Sequence, residues 1–397
     1  MIPTLRRRIG FEVELMAPAG LSRRSLAVEL ASRCGGRIRP VWHHDSEPSL
    51  VPGLGRFLHL TQGFEVCRAD GSPLCTLVDD VTLVAGLDPR AAPAPGWFRV
   101  LSDDPRLLRL LAAHSDPAGP LSAALDGAAR LWGTRIEQFG DVFRLDDPGG
   151  ATIALAAPQG GQRERPCEVV TPPLTDDHRA ALDELLAPAR ELGFTVPAEA
   201  AVHLHVDGGP FRHPPALANL IRLFAHWREP LHAVLRTNPA CRRLAALPAP
   251  LVAAAGAGAD AAALRQAADN GKLSKFFDVN LTQVLTDAPL RDTVEIRILP
   301  GSIDADEIVH QAALVELLLD RCLDERPFPD PPADPAAAVD GLLTVAAAAL
   351  AKRTEPDGPA SRSPIATSHK PTAKRPAEAL SPSVETPSSR HRWSPSQ

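Results

Sequence analysis

Four short segments of the chain alternate apolar residues with residues that bind metal ions or phosphate groups. They are residues 9–15, 167–170, 202–207 and 294–298. Successive side chains of a strand point to opposite faces, so Glu12 and Glu14 share one face and their apolar neighbours share the other. Crowded carboxylates repel one another, and a sheet whose front carries these acids needs cations. The pattern therefore indicates a function as well as a fold.

Two of these segments also have an ordinary structural explanation. Glu12 and Glu14 could lie on an exposed strand face, although acids whose Cα atoms are about 7 Å apart could also straddle two cations such as Mg²⁺. His203 and His205 could be hydrogen-bonded core or edge histidines. However, two histidines one residue apart in an apolar strand are uncommon on a plain surface.

The remaining residues are less distinctive by themselves. Glu295 and Arg297 could form a cross-strand charge pair, but an arginine beside a carboxylate also suits phosphate binding. Glu168 alone is uninformative. The sequence contains neither G-x-x-x-x-G-K-[ST] nor a strand-linked G-x-G-x-x-G, so an ATP-using protein here would be neither a P-loop nor a Rossmann protein.

Composition limits the class of protein. The 397 residues suffice for one large domain or two ordinary ones, and the hydrophobic content of 44% is normal for a globular protein. A formal net charge of -6 does not suggest nucleic acid or an anionic membrane as a partner. The six cysteines are scattered, which predicts reduced thiols. With no signal peptide and no apolar run of about 18 residues, we expect a cytoplasmic protein.

The hydrophobic pattern predicts alternating strands and helices. Helices are predicted over 21–34, 104–114, 176–192, 215–235, 245–268, 304–323 and 335–351. Strands are predicted over 9–16, 37–42, 57–60, 64–68, 74–87, 97–101, 142–145, 152–156, 168–171, 203–207, 276–284 and 294–299. Residues 43–47 read as an exposed polar loop. We expect a catalytic domain over 1–330, with 50–165 as a β-rich elaboration, and a disordered tail over 352–397.

Taken in order, the motifs resemble those of the putative amidoligase family, in the superfamily of glutamine synthetase and glutamate–cysteine ligase. GFEVE at 10–14 resembles the first metal-binding strand, and EVVTPPL at 168–174 resembles the strand that ends in Pro-Pro. The segments at 203–207 and 295–297 are similar to the His-x-His and terminal Glu-x-Arg strands. Asn280 resembles the preceding Asn-Leu segment, and Asp45 with Ser46 resembles an Asp-Ser site.

The resemblance implies a fold, a reaction and a set of roles. The fold is α+β, a curved and mostly antiparallel sheet with helices on one face, as in glutamine synthetase and glutamate–cysteine ligase. ATP phosphorylates a carboxylate, and an amine attacks the acyl phosphate to give an amide. Mg²⁺ or Mn²⁺ would be held by Glu12, Glu14, Glu168, His203 and Glu295. His205 would touch nucleotide or substrate, Arg297 would stabilise the transferring phosphoryl group, Asn280 would contact the nucleotide, and Lys275 and Lys272 would contact phosphate.

Two other classes remain open at this stage. One is a metal-dependent hydrolase that uses His203 and His205, and the other is a non-catalytic binding protein that keeps the fold. For a ligase, small-molecule and peptide carboxylates and amines are all possible substrates. The sequence does not indicate an oligomeric state.

Overall fold

The computed structural model of this protein describes residues 3–48 and 56–354. The described residues contain twelve strands and ten α-helices. The strands are β1 (Ile9–Met16), β2 (Arg37–Pro48), β3 (Arg56–Cys67), β4 (Pro73–Val78), β5 (Phe98–Ser102), β6 (Ile136–Phe139), β7 (Val142–Asp146), β8 (Thr152–Pro158), β9 (Pro166–Val170), β10 (Ala201–Asp207), β11 (Val279–Asn280) and β12 (Thr293–Pro300). The helices are α1 (Arg23–Arg33), α2 (Pro105–His114), α3 (Asp126–Trp132), α4 (His178–Glu191), α5 (Pro214–His226), α6 (Arg228–Leu235), α7 (Ala249–Gly256), α8 (Ala261–Asn270), α9 (Ala305–Cys322) and α10 (Pro335–Thr354).

The twelve strands form one open sheet in which each pair of neighbours is antiparallel. Its order is β11-β12-β10-β1-β9-β4-β3, followed by β5-β8-β7-β6. β2 pairs with β3 over its whole length, so β4 and β5 share the other edge of β3, end to end. The prediction of an α+β fold with a mostly antiparallel sheet is confirmed.

The apolar residues of the central strands face a core that the helices complete. Phe11 and Val13 of β1 are fully buried and belong to one cluster with Leu26 of α1, Leu186 of α4 and Leu319 of α9. Burial of each such side chain contributes about 1.5–3 kcal/mol to stability. Because strand side chains alternate, this packing turns the polar residues of the same strands toward the opposite face.

Capping side chains mark the start of several helices, but two of the predicted helices are wrong. Ser22 caps α1, since its hydroxyl accepts a hydrogen bond from the Ser25 backbone N–H, and the Ser25 hydroxyl accepts one from the Ser22 N–H. The single helix predicted over 215–235 is wrong, because α5 and α6 meet at Trp227. Pro230 has no N–H to donate to the carbonyl of His226, and this lost hydrogen bond favours a break at Trp227. The helix predicted over 245–268 is divided into α7 and α8, with residues 257–260 between them.

Four predictions about strands are also wrong. The strands predicted over 57–60 and 64–68 form one continuous strand, β3. Residues 43–47, predicted as a loop, continue β2 as far as Pro48 and pair with residues 57–61 of β3. β4 ends at Val78, and the residues up to 87 form turns. The strand predicted over 276–284 is reduced to Val279 and Asn280, which pair with β12.

The part of the chain between β2 and β9 adds strands to the same sheet and builds a second core. Leu60, Phe98, Leu111 and Leu145 are buried in this second cluster, which α2 and α3 help to form. The sequence patterns predicted neither α3 nor β6. The glycine at position 63 of β3 permits a close approach, because a Cβ there would lie 3.1 Å from the Leu77 carbonyl oxygen.

Helix α10 packs on α9 and α6 at the end of the described chain. Arg353 near its end forms an ion pair with the buried Glu316 of α9 at 2.7 Å. Within residues 3–48 and 56–354, α10 is the one helix long and apolar enough to cross a membrane, with a hydropathy of 1.3. Length and composition alone make this a weak indication. The disordered tail predicted over 352–397 overlaps α10 at residues 352–354, and from residue 355 onward it lies outside the described residues.

Candidate active site

Antiparallel pairing brings the acids and imidazoles of four distant segments together. β1 lies between β9 and β10, so that Glu12 stands opposite His203 and Glu14 stands opposite Glu168. On the far side of β10, His205 pairs with Glu295 of β12. The five residues predicted to bind metal therefore lie on neighbouring strands, although as many as 283 positions separate Glu12 from Glu295 in the sequence (295 − 12).

His203 lies at the centre of the cluster and contacts three carboxylates. Its Nδ1 is 3.1 Å from Glu12 Oε2 and 3.8 Å from Glu295 Oε1, and its Nε2 is 3.5 Å from Glu14 Oε1. The pairing of β10 with β12 shifts register between Val202 and Leu204, so an irregularity of the strand falls at His203 itself. Such irregularities commonly redirect a side chain next to a functional site.

His205 and Glu12 form a second close contact on the same face. His205 Nε2 lies 3.0 Å from Glu12 Oε1, so the two oxygens of Glu12 face two different imidazoles. The second nitrogen of His205, Nδ1, lies 3.5 Å from the hydroxyl of Thr293. These contacts fix the orientation of Glu12 before any cation binds.

Three overlapping groups of side chains have the donor atoms that a metal ion requires. Within each group the donor atoms lie within 4.8 Å of one another. The groups are Glu12, Glu168 and His203; Glu12, His205 and Glu295; and Glu14, Asp80 and Glu168. Asp80 was not predicted from the sequence, because it is one acid in a turn after β4 and has no partner at a regular spacing.

The electrostatics divide the carboxylates into two kinds. Burial opposes ionisation of Glu12, but His205 and His203 hold the pKa of Glu12 well below its usual value. Against the same effect of burial, Arg297 and His203 lower the pKa of Glu295. Glu12 and Glu295 are therefore paired with neighbouring imidazole or guanidinium groups.

For Glu14 and Glu168, burial and neighbouring acids raise the pKa more than the nearby Arg297 lowers it. Burial, followed by the charge of Asp80, raises the pKa of Glu14 well above its usual value. Burial, followed by the charges of Glu12, Asp80 and Glu14, does the same to the pKa of Glu168. Acids that repel one another in this way are the groups that a bound cation would relieve most.

Arg297 and Asn280 hold Glu295 from two sides. Arg297 Nη1 donates to Glu295 Oε1, and Asn280 Nδ2 donates to Glu295 Oε2 at 2.7 Å. Behind them, the backbone N–H of Arg297 donates to the Asp278 carbonyl at 3.0 Å. The buried Asp278 carboxylate itself contacts His232 at 2.8 Å. Arg297 and Asn280, both predicted site residues, thus belong to the cluster.

The cluster forms the floor of a cavity of about 630 Å³. Its lining includes His43 and Asp45 of β2 and two basic residues, Arg243 and Lys275, which together are called the basic wall. The centre of the Phe276 ring lies 4.8 Å from the Arg243 guanidinium and 5.6 Å from the Lys275 ammonium. Lys275 lines the cavity as predicted, and Lys272 is not among the residues that line it.

Several cavity residues gave little signal in the sequence. His43, Arg243 and Arg291 line the cavity but occur in segments without alternation or recognisable spacing. Burial lowers the pKa of His43 to about 4, so this imidazole is neutral near pH 7. The cavity therefore combines an acidic floor, a neutral imidazole and a basic wall.

The fold and the cluster define an α+β protein with a candidate metal centre in a sheet-lined cavity. The chain belongs to the family of putative amidoligase enzymes, since the model of that family matches residues 5–319 of the 397. The matched range includes the predicted site residues from Glu12 to Arg297. Comparison with curated proteins and with solved structures gave no significant match. The likeness to the glutamine synthetase fold therefore stays a prediction.

Proposed function

We propose that this protein is an ATP-dependent carboxylate–amine ligase that requires Mg²⁺ or Mn²⁺ and forms an amide through an acyl phosphate. The convergence of Glu12, Glu14, Glu168, His203 and Glu295 carries the proposal. Membership of the amidoligase family supports a ligase over the other classes that the sequence left open.

The donor set fits a divalent cation. Carboxylate oxygens are the ligands that Mg²⁺ prefers, and an imidazole is better suited to Mn²⁺. Glu12, Glu14, Glu168, His203 and Glu295, with Asp80, would hold such ions. The mutual repulsion among Glu14, Asp80 and Glu168 gives the protein a physical reason to bind them.

The proposed reaction has two steps. A carboxylate oxygen of the acid substrate attacks the γ-phosphorus of ATP, the bond from that phosphorus to the bridging oxygen breaks, and ADP leaves. The amine nitrogen then attacks the acyl carbon, the carbon–oxygen bond to phosphate breaks, and the products are amide and phosphate, with one proton released from the amine. A bound divalent ion would neutralise charge on the phosphate oxygens.

The protein's own residues would position and stabilise these groups. Arg297, fixed by Glu295, presents a guanidinium to charge that develops on the transferring phosphoryl group. Lys275 and Arg243 on the basic wall are placed to bind phosphate or carboxylate groups in the cavity. His205, held by Glu12, lies at the floor where nucleotide or substrate would contact it.

The test is ADP formation by the full chain with ATP, Mg²⁺, and pools of carboxylates and amines. We expect continued ADP formation only when both pools are present, since the first step with a carboxylate alone can release at most one ADP per site. We expect Glu295→Gln to lower the rate at least about 100-fold, since it removes a charge that holds Arg297 and the ions. The matched control is Glu137→Gln, an exposed acid in β6 that lies outside the cavity lining.

Unchanged turnover in Glu295→Gln, with the protein still folded, would contradict the assignment. Zn²⁺-dependent hydrolysis with no response to ATP would favour the metal-dependent hydrolase. Absence of both turnover and stabilisation by Mg-ATP would favour a binding protein.

A further inference from the structure

β2 has one edge that pairs with no other strand in the described part of the chain. Its twelve residues pair with β3 in continuous register, from Arg37 opposite Cys67 to Pro48 opposite Arg56. No second strand joins β2 among residues 3–48 and 56–354. The backbone N–H and C=O groups that point away from β3 are therefore not used in the sheet.

The cavity follows this unpaired edge of β2. Five consecutive residues, 41–45, line it, although successive side chains of a strand point to opposite faces. Trp42 lines the cavity although its side chain points to the second core, where its indole N–H donates to the Ser115 carbonyl at 2.9 Å and its ring packs edge-on against Phe98. On β9, β10 and β12 only alternate residues line the cavity, whereas on β2 consecutive residues do, and this indicates that the cavity also reaches the free edge of β2.

The edge is suited to pairing and is held in place. Prolines at positions 40 and 48 bound it, and each residue between them has a backbone N–H. Exposed edges of this length are usually shortened, covered or interrupted by proline, because they invite pairing with another chain. Asp45 fixes the strand from the side, since its Oδ2 accepts from the Val81 backbone N–H at 3.4 Å.

The same cavity connects the edge to the candidate catalytic groups. Glu168 and Glu12 form its floor, and both Lys275 and His43 line it. A chain that lies along β2 would therefore share the cavity with the acid cluster and the basic wall. A free amino acid, by contrast, could use few of the backbone groups along the edge.

We propose that the unpaired edge of β2 binds an extended peptide as an added strand, so that the carboxylate or amine substrate of the ligase is part of a polypeptide. Main-chain hydrogen bonds would supply the affinity, as they do where other proteins add a peptide strand to a sheet edge. This inference rests on the proposed function for the identity of the reaction, but not for the binding itself.

The test uses amide hydrogen exchange of the full chain with a pool of random hexapeptides that have free termini, without ATP. We expect slower exchange at backbone amides of residues 41–47 with this pool. The matched controls are the same pool methylated at every peptide nitrogen, which cannot donate along a strand, and a mixture of free amino acids. Absence of protection with the ordinary pool, or equal protection with the methylated pool, would overturn the inference.

Single-site N-methylation of one binding hexapeptide gives a sharper readout. In a strand, alternate amides point toward the edge of the sheet, so binding should weaken at every second methylated position. We expect each sensitive position to lower the affinity about 3- to 10-fold, the usual effect of one hydrogen bond. Losses without this alternation would indicate recognition by side chains alone and would reject strand addition.

A pair of variants tests the protein side. Adjacent backbone N–H groups of β2 point to opposite edges of the strand. Of the two variants His43→Pro and His44→Pro, one therefore removes an N–H at the free edge, and the other removes a hydrogen bond to β3. We expect the variant that keeps its thermal stability to be the one that loses peptide affinity. Full affinity in that variant would count against the inference. Mg-ATP stabilisation of the wild-type chain is measured in parallel, so a failure of peptide binding alone leaves the ligase proposal intact.

Discussion

The two parts of the sheet differ in where they place acidic side chains. The inner strands (β11, β12, β10, β1, β9 and β4) bury acids, so that Glu14 is 3% and Glu168 9% exposed. The outer strands (β5, β8, β7 and β6) keep theirs at the surface, where the Glu137 side chain is 56% exposed and pairs with Arg144 at 2.7 Å. Both parts have an apolar core.

This difference shows where the chain accepts a cost in stability. Buried like charges destabilise a fold unless a partner compensates them, and a surface pair costs little. Glu14, Glu168 and Asp80 lie together in one candidate metal-binding group, and burial and repulsion raise the pKa of Glu14 and Glu168 despite the nearby Arg297. A fold that retains such a group gains something other than stability from it.

The largest effect on stability is expected in the outer strands. Leu145→Ala in β7 removes a fully buried side chain of the second core and should lower the free energy of unfolding by about 2–5 kcal/mol. Because this core is separate from the acid cluster, ADP formation per folded molecule should stay the same. Denaturant unfolding together with the turnover assay checks both parts.

An acid-sensitive site is expected in β3, which joins the two parts. Burial, followed by the charge of Arg99, lowers the pKa of His59 to about 4. The His59 imidazole takes up a proton near pH 6.5 in the unfolded state but only near pH 4 in the folded state. The free energy of unfolding should therefore fall as the pH drops from about 6.5 to about 4. The loss contributed by His59 is up to about 3 kcal/mol.

Unfolding free energies measured from pH 7 to pH 4 test this expectation. His59→Gln should show a shallower decline than the wild-type chain, and His114→Gln, at an exposed position of α2, should show the wild-type slope. If the free energy of unfolding declined with pH equally in the wild type and in His59→Gln, His59 would not be the cause of the decline.

A smaller effect of opposite sign is expected in the inner strands. Glu168→Gln keeps the shape of the side chain but removes one charge that faces Glu12, Asp80 and Glu14. Without divalent ions at pH 8, the variant should be more stable than the wild type by about 0.5–2 kcal/mol. Addition of Mg²⁺ should reduce or reverse that difference, because only the wild type keeps the full set of ligands. Thermal unfolding with chelator and with Mg²⁺ measures this, and a destabilised variant in chelator would refute the repulsion.

The smallest effect is expected at the surface of the outer strands. Glu137→Gln breaks an exposed ion pair with Arg144 and should change the unfolding free energy by less than about 1 kcal/mol. A larger loss would show that surface ion pairs of the outer strands contribute substantially to stability, contrary to the comparison with the inner strands. The same denaturant unfolding assay provides the measurement.

The inner strands were predictable because two independent signals agree there. Alternation in β1, β10 and β12 predicts both the strands and the face that carries Glu12, His203 and Glu295. The order of the motifs predicts the family, which the family match confirms. That these side chains meet depends on which strands become neighbours, and pairing over such separations leaves no local signal in the sequence.

The errors have physical causes that can be traced to particular residues. Residues 43–45 of β2 lack apolar alternation because a polar cavity, rather than a core, lies beside them. β11 is too short to show a period, since only Val279 and Asn280 pair with β12. Asp80 acts from a turn, where no period exists. Strands and loops that line a polar site are therefore the parts that hydrophobic patterning identifies least well.

The way in which β4 and β5 share one edge of β3 has a consequence for local unfolding. The outer strands reach the rest of the sheet through the short pairing of β5 with residues 58–61 of β3. If this pairing opened together with the packing of Leu60 and Trp42 in the second core, β5 to β8 with α2 and α3 would unfold as one unit, while the pairing of β9, β1, β10 and β12 persisted. A protease that cuts the unfolded chain between β5 and β8 would then leave the metal-binding strands folded.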